Sequence, residues 1–220
     1  MSNFDPDVKK WLIGVLGDIY SLNKHEHSHQ DDVYKIKTAN TVYYVKSSIN
    51  LRSEYENLVK LQAVLNVPKV ISYNSINKKD YLIICELPGR NLVQLKGIWN
   101  DIEIVNKFAE AVRKLHKIDA TKVYPDAKSS DVLSHGDMAL PNIIIADNDD
   151  IGYIDFGQLS YGTPELDIYD SIWSLQRNLG PGYGELFIEK YGPVKRTPKI
   201  NEILKYRHQQ SAENKEDLRK

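Results

Sequence analysis

His135-Gly136-Asp137-Met138-Ala139-Leu140-Pro141-Asn142, and shortly after it Ile154-Asp155-Phe156-Gly157, are the stretches on which the reading of this chain turns. Between them lie two short apolar runs, Ile143 to Ile145 and Ile151 to Ile154, joined by Asp147-Asn148-Asp149-Asp150. That composition predicts a tight hairpin. A hairpin brings the far ends of its strands together, so Asn142 and Asp155 are expected to face one shared site. Phosphoryl transfer to a hydroxyl needs a carboxylate that orients the hydroxyl and accepts its proton, and oxygen ligands that hold Mg²⁺ on the nucleotide phosphates. Asp137 in a loop is a candidate base, and Asn142 and Asp155 are candidate ligands for a hard cation. His-Gly-Asp or Asp-Phe-Gly alone is ordinary turn chemistry. The two together, flanking a hairpin at this spacing, carry the kinase reading.

Working outward, that chemistry also calls for a lysine at a strand end to bind phosphates and a helical glutamate to hold it. Lys46 follows Val42-Tyr43-Tyr44-Val45, and Glu54 lies in a segment where Leu51, Tyr55, Leu58, Leu61 and Leu65 recur at helical spacing. Glu56 shares that helix, so spacing alone leaves two candidates. Asp5-Pro6-Asp7 starts a helix expected to run to about Tyr20. Val33 to Ile36 and Val42 to Val45 predict a hairpin around Thr38-Ala39-Asn40, and Val70 to Tyr73 and Tyr81 to Cys85 a second one around Asn77 to Asp80. Glu86-Leu87-Pro88-Gly89 breaks the pattern. Beyond it, helices are expected around Ile102 to Leu115, around Ile168 to Leu179, from Tyr183 to Tyr191, and from Lys199 to His208. The result is a sheet-rich first part, a hinge near residues 85–90, and a helical second part carrying one functional hairpin.

This set of residues resembles the aminoglycoside phosphotransferases, most closely the branch that phosphorylates the 3′-hydroxyl of aminoglycosides. The likeness is carried by His135-Gly136-Asp137 with Leu140-Pro141-Asn142, by Gly152-Tyr153-Ile154-Asp155 with Gly157, and by Asp167-Ile168. Glu54, Leu58 and Leu61 followed by Val67-Pro68 match the family's first-lobe helix and favour Glu54 over Glu56. The resemblance implies an α+β, two-lobed protein-kinase-like fold, with a small antiparallel-sheet lobe over residues 1–88 and a mainly helical lobe over 89–220. It implies ATP and Mg²⁺ as cofactors and a hydroxyl of a small molecule as acceptor. By the same likeness Asp137 is the base, Asn142 and Asp155 hold Mg²⁺, Lys46 contacts phosphates and Glu54 pairs with Lys46. Backbone groups of Cys85 and Leu87 meet the adenine, Tyr44 packs on its ring, and Asp167 braces the catalytic loop.

Composition narrows the alternatives. With 29 basic and 30 acidic side chains in 220 residues, nothing electrostatic points to nucleic acid or to an anionic membrane. Cys85 is the only cysteine, so no internal disulfide is possible and a cytoplasmic location is expected. Trp11 to Leu16 is too short an apolar run to span a bilayer. His25, His27 and His29 alternate beside acids, and read as a polar loop rather than a metal site. Rival readings are a nucleotide-binding regulator that no longer turns over and a protein or peptide kinase. The first expects loss of Asp137, Asn142 or Asp155. The second needs more chain between Gly157 and Asp167 than is present.

The chain departs from the family on the acceptor side. The link from Lys117 to Ser134 is short where the family builds helices around its sugar pocket. Residues 181–220 carry nine Lys or Arg against six Asp or Glu, where the family has an acidic end. A polycationic acceptor is therefore disfavoured, and a neutral or anionic one is expected to do better.

Overall fold

In the computed structural model, which describes residues 4–24 and 32–204, the first helix begins as its sequence predicts. Asp5 caps α1 (Pro6–Leu16) by accepting the Asp7 N–H at 2.9 Å, and Pro6 occupies the first turn. The helix stops at Leu16 rather than near Tyr20, because Gly17 leaves helical geometry at φ 70°. The apolar side chains of Ile19 and Tyr20 imitate a further turn. The chain instead hands the Tyr20 N–H to the Lys37 carbonyl and enters strand β1 (Ser21–Lys24), which the sequence reading did not foresee. The His25, His27 and His29 stretch lies outside the described residues.

The chain divides between Leu87 and Pro88 into two compact units. In the first, β1, β2 (Asp32–Lys37), β3 (Val42–Ser48), β4 (Val70–Ile76) and β5 (Lys79–Cys85) form one antiparallel sheet in the order β1-β2-β3-β5-β4. Strand alternation sorts its two faces. Tyr34, Ile36, Val45, Tyr81 and Ile83 pack with Phe4, Val8 and Leu12 into the core under α1. The intervening residues Lys35, Tyr44 and Lys46 therefore point to the opposite face, where α2 (Arg52–Leu61) supplies Glu54. Asp32, at the start of β2, is held by Lys24 at 2.7 Å and Lys79 at 2.9 Å. Its hydrogen bonds to those two lysines keep its carboxyl below the ordinary range.

The second unit is built on α3 (Asp101–His116), α4 (Glu165–Leu179) and α5 (Tyr183–Tyr191). Asn100 and Glu103 close a capping box at the start of α3. A small sheet joins β6 (Arg90–Asn91), β8 (Ile143–Ile145) and β9 (Ile151–Tyr153), and the Tyr153 hydroxyl anchors it to α3 by donating to the Ala111 carbonyl at 2.8 Å. Gly89 is required beside it, since a Cβ there would lie 2.3 Å from the Ile145 carbonyl oxygen. The link after α3 holds one 3₁₀ turn, Ala120–Lys122, and ends in β7 (Val132–Ser134), paired with β10 (Ser160–Gly162). A last helix covers residues 198–204, and the rest of the expected Lys199 to His208 helix lies outside the described residues.

The turn between β4 and β5 consists of Asn77 and Lys78, at φ 52° and 63°. Two positive φ values make it a type I′ turn, which asparagine tolerates and lysine does not. Lys78→Gly is expected to stabilise the protein by about 0.5–1 kcal/mol, the left-handed penalty removed exceeding the chain entropy added. Thermal melts should show a Tm higher by roughly 1–4 °C; an unchanged or lower Tm would remove the strain assigned to this turn.

Candidate active site

In the first unit Lys46 Nζ donates to Glu54 Oε1 at 2.7 Å, with the two side chains 13% and 5% exposed. Lysine from β3 and glutamate from α2 thus meet as the sequence order predicts, and Glu54 rather than Glu56 is the partner. Glu56 instead pairs with Arg52 on the outside of α2. Tyr44 stands two residues earlier on β3, directly opposite Lys35 of β2. The Tyr44 hydroxyl donates to Glu86 Oε1 at 3.3 Å, and Lys35 Nζ donates to the same oxygen at 2.6 Å. Burial pushes the Tyr44 phenol up, so it remains a donor. The N–H of Cys85 goes to the Lys69 carbonyl and that of Glu86 to Val42. The amides of both residues are thus engaged within the sheet.

In the second unit the loop bearing Asp137 is fixed at both ends by α4. The Asp167 carboxylate is fully buried and accepts the His135 N–H at 2.8 Å, the Gly136 N–H at 3.0 Å and the Ser134 hydroxyl at 2.9 Å. His116 Nε2 lies 2.9 Å from the same carboxylate, and its Nδ1 lies 2.8 Å from the Tyr191 hydroxyl. Burial by itself would raise the Asp167 pKa. The hydrogen bond and charge of His116, with the two backbone amides, outweigh it and hold the carboxyl below its ordinary value. At the other end of the loop the Leu140 N–H donates to Ser174 Oγ at 2.9 Å. Gly136 sits at φ 82°, where a Cβ would come within 2.3 Å of the Gln158 carbonyl oxygen.

Asp137 projects from this fixed loop into solvent. Asn142 Nδ2 donates to the Asp137 carbonyl at 2.9 Å and approaches its Oδ2 at 3.3 Å. The Asn142 carbonyl accepts the Ile154 N–H at 3.0 Å, so the hairpin ties the residue before Asp155 to Asn142. His135, wholly buried and kept neutral by desolvation, reaches the Ile154 carbonyl through Nε2 at 2.9 Å and packs against Phe156. Asp155 is held at φ 71°. Among the described residues only four non-glycines have positive φ; the other three sit in hairpin turns, so Asp155 alone holds this conformation beside the loop.

Sequence reasoning missed Asp170. It lies on α4 between the anchors Asp167 and Ser174, half-buried, and makes no hydrogen bond to a described residue. Burial, then the charges of Asp167 and Asp137, push its carboxyl up to about 6, against a weaker pull from Lys199. Its position one turn beyond Asp167 was the available signal, but the sequence does not show which side of α4 faces the loop.

A sheet unit with a buried lysine–glutamate pair and a helical unit with a braced Asp loop and a carboxylate-ended hairpin are the parts of a protein-kinase-like fold. Residues 123–200 match the model of the phosphotransferase enzyme family. An aminoglycoside 3′-phosphotransferase of Niallia circulans is 27% identical, over 82% of this chain and 88% of its own length. A probable aminoglycoside 3′-phosphotransferase of Lactococcus lactis is 25% identical, over 68% of this chain and 75% of its own. The fold is that of the crystal structure of an aminoglycoside 3′-phosphotransferase of type VIII, at TM-score 0.69 and 15% identity, covering 90% and 96% of the two chains. It is shared by an aminoglycoside phosphotransferase crystallised with ADP and hygromycin B (TM-score 0.57, 15% identity, 74% and 75% covered). A macrolide 2′-phosphotransferase of Brachybacterium faecium has it too (TM-score 0.64, 14% identity, 90% and 87% covered). In sequence and in fold the chain is similar to the aminoglycoside phosphotransferases, kinases with an alcohol group as acceptor.

Asp170 yields a stability prediction. Its pKa is higher folded than unfolded, so the folded state binds the proton more tightly, and stability falls as pH rises from about 4 to about 6. Above that window the ionised carboxylate costs on the order of 1 kcal/mol, after discounting for its solvent-exposed half. Asp170→Asn should raise the Tm by a few degrees at pH 8 and change it little at pH 4; thermal melts at both pH values check this. An equal loss of Tm at both would show that the carboxylate is simply part of the packing.

Proposed function

We propose that this chain transfers the γ-phosphoryl group of ATP, with Mg²⁺, to a hydroxyl of a small molecule, with Asp137 as the base. The observation that carries this reading is the Asp137 loop, anchored by buried groups at both ends while its own carboxylate stays exposed and steered by Asn142. A base must be held still and yet be reachable, and this loop meets both needs.

Lys46, fixed by Glu54, is assigned to the nucleotide phosphates, Tyr44 to the adenine ring, and the Cys85 carbonyl and Leu87 amide to its edge. Asn142 and Asp155 suit a hard cation. The Asn142 amide nitrogen is engaged with Asp137, which leaves its oxygen as the atom to offer a cation, and Asp155 adds the carboxylate of an exposed residue. No group of three or more acidic, histidine or cysteine side chains among the described residues forms a closed metal cage. Two oxygen ligands with phosphates completing the shell is the usual Mg²⁺ arrangement. Bound there, Mg²⁺ would neutralise charge developing on the transferred phosphoryl group. Asp137 orients the acceptor hydroxyl and takes its proton as the oxygen attacks, and Asn142 keeps that carboxylate in place. A cytoplasmic location, where ATP is abundant, belongs to the same reading.

Asp137→Asn tests it. Transfer, or background ATP hydrolysis in the absence of acceptor, should fall by about 10²–10⁴. Nucleotide affinity measured by calorimetry should stay within a few-fold. Unchanged turnover would remove Asp137 from the mechanism.

A small acceptor is favoured over a peptide, because the stretch between Gly157 and Asp167 is taken up by β10 pairing with β7. Its charge is also constrained. Of Glu185, Glu189 and Glu202, the glutamates beyond α4 that could draw a polycation, Glu185 is paired with Arg196 and Glu189 with Lys190. Asp170, close to Asp137, is equally unfavourable to an anion at the reacting end, which turns the expectation towards a neutral or sparsely charged acceptor. Kanamycin, neomycin and ribostamycin should accordingly be poor acceptors, with KM above about 1 mM. Micromolar KM in a coupled ADP assay, or drug resistance conferred on a sensitive host, would overturn this acceptor assignment.

A further inference from the structure

The first unit's sheet ends in two unlike edges. β1, at one edge, is four residues long and carries Lys24. β4, at the other, runs Val70-Ile71-Ser72-Tyr73-Asn74-Ser75-Ile76 with neither a charged residue nor a proline. Edge strands that must stay unpaired are commonly short, charged, proline-bearing or bulged. β4 has only the last of these, a bulge between Val70 and Ser72, and its ladder is regular from Ser72 to Ile76.

The register fixes which backbone groups face outward. Asn77 and Lys78 form a two-residue turn, so Ile76 and Lys79 are the pair that exchanges both hydrogen bonds. By alternation Asn74 and Ser72 also bond to β5, and Tyr73 and Ser75 direct N–H and C=O away from the sheet. None of these outward groups has a hydrogen-bond partner among the described residues. Side chains sort by the same alternation. Ile76 packs on the core beneath α1, so Asn74 faces α1 as well, while Tyr73 stacks on Tyr55 of α2 at 4.8 Å on the other face.

Between this edge and α1 lies an open groove of about 660 Å³, lined by Asp7, Lys10, Trp11 and Gly14 from the helix and by Asn74 and Ser75 from the strand. Gly14 is inside the helix, where glycine is unfavourable, and a Cβ there would meet nothing within 4 Å. Packing within the chain therefore does not call for a glycine. Ile13 and Val15 beside it are 51% and 36% exposed.

We propose that β4 is a dimerisation edge, pairing antiparallel with β4 of a second copy of this chain about a two-fold axis at Asn74. That register sets Tyr73 opposite Ser75 of the partner subunit and Ser75 opposite the partner's Tyr73, which satisfies every outward N–H and C=O. What meets at the axis favours self-pairing over a foreign segment. Asn74 stands against its own copy at the close, non-hydrogen-bonded position, and an amide carries both donor and acceptor. An uncharged strand brings no like-charge repulsion when paired with itself. Asp7 and Lys10, one turn apart on the groove wall, give each copy both signs, as a self-complementary patch requires. Pairing of this edge is independent of phosphoryl transfer.

Analytical ultracentrifugation of the whole chain from about 1 to 100 µM tests this, a range suited to an interface at the small end of the usual sizes. A species of twice the 25.3 kDa chain mass is expected at the top of the range and the monomer at the bottom. Ser75→Pro removes an outward N–H that the sheet itself does not use, and Asn74→Lys sets two ammonium groups against each other at the axis. Each should weaken association by about tenfold or more, with thermal melts of the dilute protein little changed. A chain that stays monomeric at about 100 µM overturns the inference and leaves the edge to an extended segment of another protein. A dimer that survives either variant in folded form is made elsewhere and overturns it too. So does a species that keeps growing beyond the dimer, because a two-fold pairing closes. Should Ser75→Pro fail to fold, Asn74→Lys alone decides.

Discussion

The Asp167 carboxylate is the constraint on which the catalytic half depends. It takes four polar contacts with essentially no exposure to water, from Ser134, His135, Gly136 and His116. Hydrogen bonds to a charged acceptor in a dry site are strong, and removing one partner from such a buried set costs about 3–5 kcal/mol. The contacts link three elements. α4 contributes the carboxylate, α3 the imidazole, and the loop after β7 the amides. The loop cannot move without leaving a buried charge uncompensated, so Asp137 inherits its position from a residue it does not touch.

The same economy of position recurs in the hairpin. Asn142 serves twice, its amide steering Asp137 and its carbonyl receiving the Ile154 N–H. His135 adds a second tie to Ile154, and Asp155 is left in a conformation that a free aspartate would seldom adopt. Strain of this kind persists only where the surroundings over-determine it. Here two hydrogen bonds to the preceding residue and the packing of Phe156 on His135 do so.

In the first unit the governing fact is strand alternation. Once α1 claims Tyr34, Ile36, Val45, Tyr81 and Ile83 for its core, Lys35, Tyr44 and Lys46 must stand on the other face. The partners Glu54 and Glu86 then come from α2 and from the residue after β5. Two ammonium groups held on one face by separate carboxylates give a surface graded in charge, with its most buried pair at Lys46.

The sequence by itself determined the elements and the order of the chemistry. Short β-branched runs, helical spacing and the capping residue Asp5 are local signals, and a hairpin with polar ends can be recognised without knowing its surroundings. It also determined that Lys46, Glu54, Asp137, Asn142 and Asp155 are all present, because each lies beside a turn, strand end or helix that its neighbours announce. Tertiary structure decided what depends on contacts distant in sequence. The end of α1 was misread because only the Tyr20–Lys37 bond shows that the chain has turned into β1. β7 and β10 are three residues each and have no pattern until paired. Asp170 reads as one more acid on an amphipathic helix until α4 is set under the loop between Asp167 and Ser174. Glu86 likewise reads as part of a break until Lys35, 51 residues earlier, reaches its carboxylate. Burial and charge pairing are properties of neighbours in space, and a linear pattern carries no information on them where the neighbours are far apart in the chain.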